Sequence, residues 1–276
     1  MTAVSRQLGE RKGGQFDELL AAERRTWRRA WLQGAAVALA VLICFWQTGL
    51  LDTVRLAEGV PAIGVLMGEM FPPSFADADK WIVPVIDTLA MSVAGTAVAV
   101  ILSVPLAFLA AENTAPNRTV YHIARGTLNT LRAIPELIMG IVFVAAVGFG
   151  ALPGVLALGL HSVGMVGKFF AESIEHAHPA PVEAARAAGA SPVQVVTHGV
   201  LPQVIPQFMD VTMYRWEYNF RASTVMGMVG AGGIGLELMG SLRIMQYNEV
   251  LAILLVILCM VTLVDALSGL LRRRFQ

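Results

Sequence analysis

EAARAAGASPVQVVTHGVLP, residues Glu183–Pro202, is a polar, alanine-rich stretch set between two long apolar runs. Ala184, Ala185, Ala187 and Ala188 are strong helix formers. Pro181 suits a helix N-terminus, and Glu183 is expected in the first turn, where the helix macrodipole favours an anion. Gly189 then ends or bends the helix, and Ser191-Pro192 restarts the chain as a second short helix. The expectation is two short helices joined by a small-residue elbow, a hook that a soluble partner can approach closely. An ordinary loop between spans is the simpler alternative.

Working outward, the composition is that of a membrane chain. Apolar residues make up 56% and charged residues 14%, and mean hydropathy is +0.64. Soluble domains carry about 25% charged residues. The formal net charge is +0, which says little about partners and leaves the distribution of charge as the informative quantity; no nucleic-acid partner is expected. Cys44 and Cys259 sit in apolar runs and read as small buried residues, with neither disulfide nor metal-ligand spacing. No small-residue cleavage site follows the first apolar run, so a removed signal peptide is not expected.

A helix that crosses a bilayer needs roughly 20 apolar residues. Six candidate spans emerge: Ala30–Leu50, Val85–Ala110, Ala133–Phe149, Leu152–Phe170, Pro202–Val229 and Val250–Leu271. Gly148, Gly150, Pro153 and Gly154 divide the third from the fourth as a tight hairpin. Arg6, Arg11, Lys12, Arg24, Arg25, Arg28 and Arg29 precede the first span, and Trp27 and Trp31 mark an anchored entry. Arg118, Arg125 and Arg132 fill the loop between spans two and three, and Arg272, Arg273 and Arg274 follow the last. The opposite loops hold only Arg55, Lys80 and Arg243. Both termini and the hook are therefore expected in the cytoplasm. The expected organisation is a cytoplasmic tail over 1–29, a membrane domain over 30–276, and coupling helices at about 179–200. Gly59–Phe71, stopped by Pro72-Pro73, is either an interfacial helix or an ordered loop.

The hook carries a resemblance. Glu183-Ala184-Ala185, three residues, Gly189, nine residues, then a two-residue step to Leu201-Pro202 resembles the EAA loop of bacterial ABC importer permeases. Gly199 departs from it, standing where the pattern has a hydrophobic residue. LRAIPELIMG (Leu131–Gly140), HSVGMVGKFFAESIE (His161–Glu175) and YRWEYNFRASTVMGMVGAGGIG (Tyr214–Gly235) look like the phosphonate-importer permease subfamily, whose members import phosphonates and in some cases phosphate or phosphite. The resemblance implies an all-α integral membrane protein of six spans with the type I ABC importer permease fold. It implies that the hook docks on a cytoplasmic ATP-binding subunit, present in two copies and carrying the ATP and Mg, while this chain binds no cofactor. An extracytoplasmic substrate-binding protein and a second permease chain, identical or paralogous, complete the implied assembly in the lipid bilayer. The chain has no G-x-x-x-x-G-K-[ST] phosphate loop of its own.

Span five carries unusual charges for a membrane position. Arg215, Glu217 and Arg221 fall inside it, where each is costly unless it faces the bundle or water. Glu217 and Arg221 lie four apart and are expected to pair, with Thr224 continuing that face. Arg215, with Asn219 one turn beyond, is then left as excess positive charge near mid-membrane. Guanidinium forks suit phosphorus oxyanions, so Arg215, Asn219 and Arg221 are candidates to line an oxyanion route. Interhelical salt bridges are the structural alternative. His161 in span four and Glu136 near the start of span three are weaker candidates for the same route.

Gly230, Gly232, Gly233 and Gly235 in GAGGIG satisfy G-x-G-x-x-G formally. No strand precedes them, so a dinucleotide site is excluded. They suggest a bent or re-entrant segment at the outer end of span five, a gate or a plain turn. Two other functions compete with a phosphorus-oxyanion importer. A permease for another solute, such as an amino acid, needs no excess positive charge. An intramembrane enzyme would use His161, Glu136 and Glu217, but these show no nucleophile–base pairing and no metal spacing.

Overall fold

The computed structural model describes residues 3–275, with side chains described at Glu23 and from Thr26 to Arg274. The side chains of Arg6, Arg11, Lys12, Arg24 and Arg25, on which the sidedness count partly rests, lie outside the described residues. The chain divides into two compact units, Met1–Gly68 and Glu69–Gln276.

The first unit is helical. Helix α1 (Ala3–Gln47) runs without a break through the expected tail boundary at residue 29. Gly49, at φ +73°, turns the chain, and α2 (Thr53–Met70) follows with Pro61 inside it and no buried residue. The segment before Pro72-Pro73 is thus helix, not loop. Cys44 on α1 is exposed, as is Cys259 in the second unit. Both had been expected to be buried; their apolar runs present them on outward helix faces.

In the second unit, α3 (Ile82–Ala110) and α6 (Ala151–Glu175) form the central pair. Small residues bring them together: an added Cβ at Gly95 would lie 3.0 Å from the Leu158 Cβ, and one at Gly159 would lie 3.0 Å from a Val98 methyl. The stretch 118–132, expected as a basic loop, is instead helix α4 (Arg118–Ala133), capped by Asn117, whose side chain accepts from the Val120 N–H at 2.8 Å. Ile134 is extended because Pro135 follows it. Helix α5 (Glu136–Val147) then starts afresh, bent 85° from α4. It has only 12 residues, about 18 Å, too short to cross alone. The third span expected over Ala133–Phe149 is therefore the second half of a broken pair.

Hook helix α7 (Pro179–Ala187) is followed by a short turn α8 (Pro192–Gln194) and a π-helical turn, Val195–Val200. That turn leads directly into α9 (Leu201–Met226). Helices α10 (Ile234–Arg243) and α11 (Tyr247–Phe275) complete the unit. Among the described residues, Thr26–Gln47, Ala78–Ala110, Ala151–Glu175 and Tyr247–Arg274 are long and apolar enough to cross a membrane. The α4–α5 pair and the pair Pro192–Ala231 with Ile234–Arg243, bent 59°, raise the count from four to six if each is one span.

Two apolar clusters sandwich a polar belt. One holds Leu128, Phe170, Val204 and Phe208, the two phenyl rings stacked at 3.8 Å. The other holds Met91, Leu158, Met226 and Ala231.

The glycine segment closes the end opposite the hook. Gly230 and Gly233 take positive φ, +103° and +72°. Gly235 has a different reason: an added Cβ would fall onto the Thr224 carbonyl oxygen. Gly235→Ala is thus expected to destabilise by about 1–3 kcal/mol through overpacking, read as a lower melting temperature in detergent. Gly240→Ala, where nothing lies within 4 Å of the added Cβ, is expected to be neutral and serves as control.

Candidate coupling hook and intramembrane polar belt

The hook is built from local backbone chemistry. Helix α7 starts at Pro179, with His178 Nδ1 accepting from the Ala180 N–H at 3.3 Å. The first turn therefore contains no acid, and Glu183 sits two residues further into the helix than expected, exposed beside Ala184. At the far end Ala190 N–H donates to Ala185 O at 3.1 Å and Gly189 N–H to Arg186 O at 2.9 Å. This is the paired closure of a Schellman motif, and it requires the φ of +80° found at Gly189. Ser191 opens the next turn with a full capping box: its hydroxyl accepts from Gln194 N–H, and Gln194 Oε1 accepts from Ser191 N–H at 2.8 Å. Gln203, one turn into α9, accepts from His178 N–H at 2.9 Å and donates to Gly199 O. Leu201 packs on the core beneath, while Pro202 begins α9 at its surface.

Gly199, the residue that leaves the motif, now has a reason. It is buried, and an added Cβ would lie 3.2 Å from the Val182 Cα. The second arm of the hook crosses the backbone of the first at this point, and a side chain there holds them apart. Gly199→Leu is expected to detach α7. At about 1.4 kcal/mol of lost packing, trypsin cleavage after the exposed Arg186 accelerates roughly tenfold. Unchanged cleavage of the detergent-solubilised protein contradicts this packing role.

At the same end of the bundle, Arg125 Nε donates to Ala110 O at 2.8 Å, and its Nη2 meets Glu175 Oε1 at 2.7 Å. Asn113 Nδ2 donates to Ile174 O at 2.8 Å. The ends of α3 and α6, the start of α4 and the hook thus share one end of the bundle. The glycine segment lies at the other, where Gly150 N–H donates to Gly230 O at 3.2 Å.

Midway between, α9 presents two separate polar faces. On the first, Arg215, Asn219 and Ser223 follow at four-residue steps, all buried. Arg215 Nε donates to Ser162 Oγ at 2.7 Å, Ser162 donates to Asn219 Oδ1 at 3.0 Å, and Asn219 Nδ2 donates to Thr96 Oγ1 at 2.9 Å. Thr96 ends the chain on Ser92 O at 2.7 Å. It is the central residue of α3 (Ile82–Ala110), which fixes the belt at mid-bundle. Arg215 itself is only 1% exposed. Its guanidinium lies 4.3 Å over the Tyr218 ring, with Nη1 3.2 Å from Met165 Sδ. Nη2 stands 3.9 Å from Glu136 Oε2. Tyr218 donates to Glu136 Oε1 at 3.0 Å. His161 Nε2 is 3.8 Å from Glu136 Oε2, while its Nδ1 is 3.1 Å from Ile134 O. A carbonyl only accepts, so that Nδ1 carries the proton.

The second face turns to α11. Arg272 Nη2 meets Glu217 Oε1 at 2.6 Å, with Asp210 Oδ1 3.7 Å from its Nε. Arg221 Nη2 meets Asp265 Oδ1 at 3.0 Å, and Glu217 only at 3.9 Å. Thr224 donates to Arg221 O at 2.7 Å, within its own helix.

The structure therefore brings Arg215, Asn219, Glu136 and His161 together and sets Glu217, Arg221 and Thr224 apart from them. Two sequence expectations need correction. Glu217 pairs first with Arg272, because α11 lies closer to its carboxylate than Arg221 reaches. Arg215 is not an excess charge, because Glu136 faces it across the bundle. Ser162, Thr96, Tyr218, Asp210, Asp265 and Arg272 were not foreseen. A lone acid in the last apolar run was the available signal for Asp265; serine and threonine inside spans carry none.

Residues 103–276 match the family described as "Binding-protein-dependent transport system inner membrane component". The phosphite transport system permease protein PtxC of Stutzerimonas stutzeri is 69% identical over 250 residues, 91% of each chain. The phosphate-import permease protein PhnE of Mycolicibacterium smegmatis is 42% identical over 85% of this chain and 44% of its own. Among solved structures, an inward-facing form of the MetNI methionine ABC transporter superposes with a TM-score of 0.64 at 20% identity, covering 74% of this chain and 99% of that one. At that identity the likeness concerns the fold.

Proposed function

Because this chain belongs to the family of binding-protein-dependent transport system inner membrane components, we propose that it is the permease of an ABC importer for phosphite or a closely related phosphorus oxyanion, phosphonate or phosphate. It is a multi-pass inner-membrane transport component and not itself catalytic. The observation that carries the substrate class is the 69% identity to a phosphite permease over 91% of both chains. The polar belt does not decide the class by net charge, because Glu136 balances Arg215; it places a buried guanidinium where an anion can compete for it.

In this reading the hook end faces the cytoplasm, together with both termini. Two copies of a separate ATP-binding subunit, which hold ATP and Mg, grip α7 at Glu183, Ala184 and Ala185. A substrate-loaded binding protein docks on the opposite end, and a second permease chain completes the pathway. Hook and belt are mechanically one piece: α9 is continuous from Leu201 to Met226, so a push on the hook is carried about 21 Å to Arg215. Arg215, Asn219, Glu136 and His161 flank the anion's route. Glu217 and Arg221 keep α9 seated against α11 through Arg272 and Asp265, with Thr224 bonded inside α9, so the two helices rock together. The bent glycine segment, Gly230, Gly232, Gly233 and Gly235, supplies the outer gate. Such rocking about a mid-membrane site is alternating access.

The test is uptake of radiolabelled phosphite by cells expressing the chain with its ATPase and binding protein. The reading expects uptake that unlabelled phosphonate or phosphate competes with and methionine leaves untouched. Competition by methionine alone would move the chain to the amino-acid alternative.

A further inference from the structure

We propose that Glu136 is a resident counter-anion for Arg215, displaced by the transported oxyanion and restored when it leaves. This rests on the phosphorus-oxyanion reading above. The geometry that points to it is an ion pair without a hydrogen bond. Arg215 Nε is spent on Ser162 and Nη1 faces Met165. Nη2 and Glu136 Oε2 face each other at 3.9 Å, and neither has a hydrogen-bond partner among the described residues. A guanidinium 99% buried thus keeps one donor edge unused, although a carboxylate of the right charge stands beside it. A fixed structural bridge closes to the short, forked contact that Arg and carboxylate favour. This one is held open: Glu136 Oε1 is engaged by the Tyr218 hydroxyl, whose ring also lies 4.3 Å from the guanidinium.

The position of Glu136 adds a second reason. It is the first residue of α5, at the break where α4 and α5 meet at 85°. The start of a half-helix inside a membrane favours an anion, whether a side chain or a cargo. With Glu136 in place the empty site is neutral and Arg215 is not left bare. An oxyanion that takes Nη2 can use the same helix start, and Glu136 Oε2 swings off Nη2 while Oε1 keeps its bond from the Tyr218 hydroxyl. Its return gives the cargo a competitor, so a deeply buried arginine does not become a trap. No bond is made or broken in this exchange.

The test uses the assembled complex of permease and ATPase without binding protein, and radiolabelled phosphite in equilibrium dialysis. Glu136→Gln removes the competing charge and keeps the shape. It is expected to retain phosphite at least about tenfold more tightly than wild type and to turn over about tenfold more slowly in proteoliposomes supplied with binding protein. Arg215→Met added to Glu136→Gln abolishes the retention. Glu136→Gln that assembles and retains no more than wild type overturns the proposal. So does a Glu136→Gln that fails to assemble where Glu136→Asp succeeds, since the carboxylate is then a structural brace. Absence of phosphite import by the wild-type importer removes the oxyanion reading itself, whereas wild-type import with no retention in E136Q removes only the displacement.

Discussion

Arg215→Ala abolishes uptake and loosens the permease, and adding Glu136→Gln restores assembly without restoring uptake. The single change leaves Glu136 charged in the bundle with its Tyr218 bond and no cation. Breaking a buried pair from one side costs about 3–5 kcal/mol. Glu136 keeps 21% side-chain exposure, so the lower part of that range applies. It also frees Ser162, the second link in the chain that runs through Asn219 to Thr96. Neutralising Glu136 removes the charge penalty, so the double variant regains part of its melting temperature and its elution as an intact complex, while the freed Ser162 and the vacated volume of Arg215 still cost stability. It lacks the guanidinium and imports nothing. A double variant that imports phosphite at the wild-type rate makes the pair a brace and removes Arg215 from the route.

Gly189→Val uncouples the ATPase from transport while leaving insertion intact. Nothing lies within 4 Å of an added Cβ at Gly189, so crowding inside this chain is not the cause. The cause is the backbone: φ of +80° costs an L-residue about 1–2 kcal/mol, and a β-branched one most. Relief requires opening the Schellman closure at Ala185 and Arg186, which re-aims Ser191 and the turn that enters α9. Uptake falls about tenfold or more for each 1.4 kcal/mol lost from the docked geometry, and ATPase stimulation by loaded binding protein disappears. Gly189→Asn, a residue that tolerates the left-handed region, keeps most of the activity. Full stimulation in the valine variant contradicts the coupling role.

The hook was legible because its determinants are local. Gly189, Ser191-Pro192 and the alanines act within one turn of themselves, and the backbone follows them closely. The error at Glu183 was two residues of register, set by a proline at 179 rather than 181, enough to move it out of the first turn. The break in the third span was missed: Ile134-Pro135 is an extended dipeptide by its own sterics, yet the apolar run around it reads as one continuous span. The belt was not legible. Glu136 and Arg215 are far apart in the chain, and only the packing of α5, α6 and α9 brings them together, so a charge count along span five alone left Arg215 unbalanced. Gly199 illustrates the same limit in reverse. In the sequence it is only a departure from the motif, and the backbone crossing at Val182 makes it the residue that lets the two arms close.

The central claim is that a grip on the hook drives a phosphorus oxyanion past the belt. It is tested most directly by phosphite accumulation in proteoliposomes holding this chain and its ATPase, with binding protein outside and ATP inside. The account predicts accumulation that requires both ATP and binding protein and that is lost in Gly189→Val with the protein still inserted. Accumulation of methionine in place of phosphite, or phosphite uptake that persists undiminished in Gly189→Val, contradicts it.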